Sequence, residues 1–463
     1  MQILLNPEKW ALNLYDNIVD SKDLKISDYI IHTEYENEIL ILHTITWAIY
    51  CLSKNEFYNI LTNETLIKNK VVVPNDLDES EIANKAYVSR LSRKNLPTYD
   101  TIDSYIIMTT TACNARCNYC YEKNVSKSES MTLETAENIV QFMLKRSPVY
   151  EGKKQVHIQW FGGEPMLNKS IIDYICSRLR ELDFNFTTTM ISNGFLLNEE
   201  NLKTVKNWNL RMVQITLDGL YETYNKTKNY VYTDVDAYLT VINNIRYILE
   251  NTNVKVNVRI NASNDNIFNI YDDVTFLKEE FKEYYNNKRF LLYVSPIFQL
   301  IDDDSYVVDG FDEELTRLLE ITDVLRPERC SDCETSQKIL KRRRLNSTCM
   351  AFSGKAVNVT PNGNLTPCEH IIETDILGNV VDGITDTSVI KKWNTFDDID
   401  KIKFCIDTKC EYHPMCAKFY NCENERLCKT EFRKNQRIDK IKSSLISTKK
   451  YYDEEIEKLK GGQ

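Results

Sequence analysis

The chain has 463 residues, 42% hydrophobic and 27% charged, with 58 basic against 68 acidic side chains and a net charge of −10. That length exceeds one ordinary domain and predicts a core unit of roughly 200–250 residues with smaller units attached. The acidic balance argues against nucleic acid as the main partner, because neutralising phosphates takes a basic surface.

Residues 1–10 lack the basic-then-apolar order of a signal peptide, and no apolar run approaches the length of a membrane span. The expectation is a cytoplasmic protein without a membrane anchor. In that reducing compartment the 14 cysteines are expected to ligate metal or clusters rather than form disulfides. Residues 1–95 read as a small α+β domain. Tyr29-Ile-Ile-His-Thr and Ile39-Leu-Ile-Leu-His form a strand-like hairpin, helical segments are expected around 46–66, and 76–81 and 92–100 read as polar linkers.

Between about 100 and 300, strands and helices alternate. Candidate strands begin near Tyr105, Val156, Phe186, Met212, Val254 and Phe290, with helical patterns over 132–146, 170–182, 236–249 and 266–281. Thr132 is the expected N-cap of the first helix, with Glu134 in its first turn. Such alternation builds βα units on a parallel sheet, and periodicity leaves a doubly wound sheet and a partial barrel equally open. Residues 320–430 read as a loop-rich, ligand-held domain, with nine cysteines between Cys330 and Cys428. The tail, 431–463, is helical in pattern with Ile438, Ile441, Leu445 and Ile446 on one face.

Directly after the first strand of the alternating region comes Thr109-Thr-Thr-Ala-Cys113-Asn-Ala-Arg-Cys117-Asn-Tyr-Cys120. Three thiolates so spaced hold three irons of a 4Fe–4S cluster and leave the fourth open to a ligand. The competing reading is zinc, which would need a fourth ligand close by. Gln159-Trp-Phe-Gly162-Gly163-Glu164-Pro165 ends the second strand, where glycines let backbone approach closely. Ser192 and Asn193 follow the third strand, Thr216 and Asp218 end the fourth, and Arg259 ends the fifth. Ordinary strand-end turn chemistry would also explain each of these polar residues.

The cysteine motif and the Gly-Gly-Glu-Pro turn resemble the radical S-adenosylmethionine (SAM) superfamily, across residues 105–428. The resemblance implies a partial (β/α)6 TIM-like barrel. In it Cys113, Cys117 and Cys120 bind the cluster, while Gly162, Gly163, Glu164, Pro165, Ser192, Asn193, Thr216, Asp218 and Arg259 line the SAM site. A reduced cluster would cleave SAM to a 5′-deoxyadenosyl radical, with ferredoxin or flavodoxin as electron donor. Cys349, Gly363 and Cys368 are similar to the first half of the SPASM signature, which holds two auxiliary 4Fe–4S clusters, three clusters in all. Cys405, Cys410, Cys416, Cys422 and Cys428 follow in the right number. The first four are spaced C-x4-C-x5-C-x5-C, which departs from the usual C-x2-C-x5-C-x3-C.

By that analogy Cys349, Cys368 and Cys422 serve the nearer auxiliary cluster, and Cys405, Cys410, Cys416 and Cys428 the farther one. Cys330 or Cys333 completes the nearer cluster, or an iron stays open. Cys51 and Cys176 read as buried core residues, and His157 and His370 as structural. Lys341-Arg-Arg-Arg344 reads as a solvated helix face or as a receiver for an acidic leader. The N-terminal domain looks like leader-recognition domains, and the Thr-Thr-Ala-Cys-Asn-Ala-Arg-Cys stretch resembles maturases of ranthipeptide precursors. The expected activity is crosslinking, chiefly thioether formation, in a ribosomally made precursor peptide with a leader. Sulfatase-maturating-like oxidation of a protein Cys or Ser and zinc-stabilised peptide binding without catalysis are the alternatives.

Overall fold

The computed structural model describes residues 1–16, 18, 21–92, 98–120, 122, 128–263, 266–297, 354–370, 373–394, 403–415 and scattered positions between 435 and 453. They fall into two compact units, one drawn from 1–96 and 392–463, the other from 97–328 and 348–391. Cys330, Cys333, Cys349, Cys416, Cys422, Cys428 and Lys341–Arg344 lie outside the described residues.

In the first unit, β1 (Gln2–Leu5), β3 (Ile30–Tyr35), β4 (Glu38–His43) and β5 (Ala48–Ser53) form an antiparallel sheet in the order β1-β5-β4-β3. A second pair joins β2 (Leu24–Ile26) to β6 (Val72–Pro74). The β3–β4 hairpin stands where the sequence placed it, but β5 falls inside the stretch expected to be helical. The reason is burial on both faces. Ala48, Tyr50 and Leu52 pack with Ile39 and Ile41 on one side, and Ile49 and Cys51 pack with Leu40 and Leu42 on the other. A strand covered on both sides reads as a continuous apolar run, without the alternation that marks a half-buried one.

Ser53 then starts a short helix, Lys54–Tyr58, through a capping box with Glu56. Helix Ser80–Ser92 takes in the end of the first stretch read as a linker. Described positions between 435 and 453 are helical. Leu445, with Ile441 and Ile446 beside it, closes the β1/β4/β5 face of the core.

The second unit is built on β7 (Ser104–Thr110), β9 (Lys153–Gly162), β10 (Asn185–Ser192), β11 (Leu210–Thr216), β12 (Lys255–Ala262) and β13 (Phe290–Pro296), with β8 (Val149–Tyr150) as a short partner of β9. These six run parallel in chain order. Beyond β7 come β14 (Ala356–Val359), parallel to it, and then β15 (Asn364–Thr366), β16 (Gly378–Asn379) and β17 (Gly383–Ile384), all antiparallel. The path ends at β13, so among the described strands the barrel is open.

Helices Leu133–Arg146, Lys169–Glu181, Ala237–Asn251 and Ile270–Glu280 link the parallel strands, and Thr132 caps the first by accepting from Thr135 N at 3.1 Å. Along β9, Val156, Ile158 and Trp160 are buried while His157 and Gln159 are half-exposed, the period of two that sets one face inward. Helix Tyr221–Lys228 was not anticipated, because its polar sequence carries no apolar stripe.

Candidate functional site

All six parallel strands point their C-terminal ends the same way, so the loops after them share one rim. The loop after β7 is anchored by its threonines. Thr109 Oγ1 donates to Pro165 O at 3.0 Å, and Thr110 Oγ1 donates to Glu129 O at 2.8 Å. Main-chain bonds stitch the same loop to the turn after β9: Gly163 N to Thr110 O at 3.0 Å and Glu164 N to Ala112 O at 2.9 Å. The stitching leaves no space for side chains. A Cβ on Gly162 would sit 2.1 Å from Thr110 O, and one on Gly163 would sit 2.3 Å from Ala112 O. Both glycines therefore serve the seating of the cysteine loop.

Cys113, Cys117 and Cys120 are all half-buried on this loop. Burial pushes the Cys113 thiol up to about 12 and the Cys120 thiol up to about 11, and raises Cys117 as well. Three thiols whose charged forms are disfavoured by burial fit a cationic occupant, which would restore the thiolates. Two donors already face Cys113: Ala115 N at 3.4 Å and Asn193 Nδ2 at 3.8 Å from Sγ. Beside it, Asn114 is buried with its Nδ2 unpartnered among the described residues. Three thiols with amide donors beside them are residues that would hold a cluster. Among the described residues no three Cys, His, Asp or Glu side chains converge on one point, as a single ion would need; in a cubane each thiolate takes its own iron.

Glu164 is fully buried, and its carboxylate turns inward. It accepts from Met166 N at 3.1 Å, Asn193 N at 2.8 Å and Ser192 Oγ at 2.9 Å. Desolvation pushes it up to about 7 despite these donors. Glu164, Ser192 and Asn193 therefore form one bonded group joining the ends of β9 and β10, with Asn193 reaching on to Asn114 Oδ1 at 2.7 Å. Asp218 is also fully buried and paired to Lys228 at 2.8 Å. Thr216 closes β11, half-buried, in register with Arg259.

Arg259 lies before the end of β12, and its guanidinium bonds to Asn261 Oδ1 at 2.8 Å and Ser295 Oγ at 3.2 Å. Its side chain is linked to Asp218 through Asn261. Gly363, at φ 85°, turns β14 into β15, where a Cβ would press on Val380 at 3.0 Å. Cys368 follows β15, half-buried. Cys405 and Cys410 belong to the other unit, around helix Lys403–Asp407, with Cys410 N bonded to Cys405 O at 2.9 Å. Cys51 and Cys176 are buried in the core. His157 sits between Thr187 and Thr189. Tyr119, Lys228 and Asn261 were not singled out by sequence; only the position of Tyr119 inside the cysteine motif hinted at a role.

An open parallel barrel with three cysteines seated at its C-terminal rim against a Gly-Gly-Glu-Pro turn defines a cluster-binding radical enzyme. Residues 107–260 match the Radical SAM superfamily model, so the parallel-stranded part of the chain carries a radical SAM domain. The chain is 22% identical over 338 residues to the radical SAM cyclopropyl synthase TigE of Paramaledivibacter caminithermalis, covering 68% of this chain and 67% of that protein. It is 31% identical to the GTP 3′,8-cyclase of Helicobacter pylori over 120 residues, 26% of this chain and 36% of that one.

Among solved structures, anSMEcpe with bound AdoMet and Cp18Cys peptide superposes with a TM-score of 0.52 at 15% identity, over 74% of this chain and 99% of that one. Streptococcus suis SuiB bound to S-adenosylmethionine gives 0.50 at 14%, over 89% and 98%. These likenesses bear out the partial barrel. No helix among the described residues is long and apolar enough to cross a membrane.

Proposed function

We propose that the protein is a peptide maturase that abstracts hydrogen from a ribosomally made precursor and installs a thioether, or another side-chain-to-carbon, crosslink. The observation that carries this reading is the seating of Cys113, Cys117 and Cys120 at the barrel rim. When bound there, the cluster with SAM supplies a carbon-centred radical able to take hydrogen from an unactivated carbon. Gly162, Gly163, Glu164 and Pro165 hold the loop that carries it, and Ser192, Asn193, Thr216, Asp218 and Arg259 form the surrounding SAM site. Two auxiliary clusters on Cys349, Cys368, Cys405, Cys410, Cys416, Cys422 and Cys428, with Cys330 or Cys333 as the eighth ligand or one iron left open, complete the set, and ferredoxin or flavodoxin is the electron donor.

Peptide as the substrate class is supported by the peptide bound to anSMEcpe. TigE's name shows that a related fold also forms carbon–carbon rings. An extended leader would add to the antiparallel sheet at β3, which is an edge strand among the described residues. The test is iron and sulfide per chain after anaerobic reconstitution. Three 4Fe–4S clusters require about twelve irons, falling to about eight in a Cys113/Cys117/Cys120→Ala variant. Zinc in place of iron, or iron indifferent to those substitutions, would remove the radical reading.

A further inference from the structure

Lys228, Asp218 and Tyr119 meet beside the cysteine loop. Lys228 ends helix Tyr221–Lys228 and is 2% exposed, whereas a lysine at a helix end ordinarily reaches water. Its Nζ lies 2.8 Å from Asp218 Oδ2 and donates to the Tyr119 hydroxyl at 2.8 Å. Tyr119 donates in turn to Asp218 Oδ2 and accepts from Asn261 Nδ2 at 3.1 Å. The second Asp218 oxygen accepts from Asn261 N at 3.0 Å. The lysine also holds the loop by its main chain, since Arg116 N donates to Lys228 O at 2.9 Å. One residue thus grips the cysteine loop on both sides of Cys117.

A buried ion pair is a poor device for stability, because desolvating two charges costs more than a well-packed apolar pair would. Its position suggests another use. Lys228 Nζ is held on Tyr119, which lies between Cys117 and Cys120 in the loop, and the Lys228 main chain holds Arg116 on the other side of Cys117, so the charge is fixed against the cysteine loop. Reduction adds one electron, and so one negative charge, to a cluster held at this thiolate. A fixed cation in a low-dielectric site stabilises the reduced form more than the oxidised form. Net charge and hydrogen bonds to sulfur are among the levers that set cluster potentials.

We propose that Lys228, locked by Asp218 and Tyr119, is a positioning charge that raises the reduction potential of the cluster held by Cys113, Cys117 and Cys120. The electron comes from an external low-potential one-electron donor, and no bond forms or breaks in this step. The inference rests on the radical reading given above.

The experiment is a dithionite redox titration followed by electron paramagnetic resonance on the reconstituted full chain. The signal in question is the one lost in the Cys113/Cys117/Cys120→Ala variant. Lys228→Met is expected to hold wild-type iron and to shift the reduction equilibrium at least tenfold toward the oxidised form, about 59 mV for one electron. Lys228→Arg, which keeps the charge, is expected to shift it much less. An unchanged midpoint in an iron-replete Lys228→Met protein overturns the proposal. If that variant does not hold the cluster, Tyr119→Phe takes its place: a shift in the same direction supports the proposal, and none overturns it. Should the triple variant lose no signal at all, the radical reading itself fails, not this inference alone.

Discussion

Gly163 and Glu164 are adjacent in sequence yet constrained by different physics. At Gly163 the limit is space, since a Cβ there would press on the Ala112 carbonyl at 2.3 Å. Gly163→Ala should displace the cysteine loop, costing about 1–3 kcal/mol as overpacking does, and lose the loop's four irons. Gly152→Ala, where a Cβ meets nothing within 4 Å, should keep them; iron analysis of the two variants separates a local from a general effect. At Glu164 the limit is solvation. Burial raises its carboxyl to about 7 from an ordinary value of 4.5, so the folded protein holds its proton more tightly than the unfolded chain. The resulting stability is present in full below pH 4.5 and is lost as pH rises through about 7. Glu164→Gln should remove up to about 3 kcal/mol of that pH dependence. Anaerobic thermal melts of cluster-free protein from pH 4.5 to 7.5 would measure it, and parallel profiles for the two proteins would refute it.

Among the elements, the tail helix carries the clearest energetic consequence. Leu445 is 4% exposed within a cluster that includes Leu4, Leu42 and Ile49. Leu445→Ala should therefore cost about 2–5 kcal/mol, as cavity formation does in well-packed cores. Denaturant midpoints would show it, and a loss under 1 kcal/mol would mean that the tail does not hold this face. That helix was legible because Ile441, Leu445 and Ile446 recur at helical spacing.

The six barrel strands were legible for a related reason, alternation with amphipathic helices such as Lys169–Glu181. β5 was not, because two cores share it and its alternation vanishes. Within the site, cysteine and glycine spacing is local and could be read directly. The pairing of Tyr119, Asp218 and Lys228 joins a loop, a strand end and a helix end. A lone lysine in a polar helix offers no signal that the fold will bury it.

At the scale of the whole molecule the two units divide the proposed work. Radical chemistry is proposed for the parallel barrel, whereas β3, an edge strand among the described residues and proposed to bind the leader, belongs to the antiparallel sheet of the other unit. A leader held there raises the effective concentration of the attached core peptide at the barrel, so dependence on the leader is the signature of this division. Removing the leader from a precursor should lower turnover at fixed peptide concentration on the order of 10²-fold or more. It should leave SAM cleavage without peptide unchanged. Mass spectrometry of the product against 5′-deoxyadenosine released is the measurement. A sulfatase-maturating-like oxidase would instead treat leader-bearing and leaderless peptides alike, since its target is a single Cys or Ser in a short sequence. Equal rates on both would therefore transfer the assignment to that activity while leaving the cluster loop, and the chemistry proposed for it, in place.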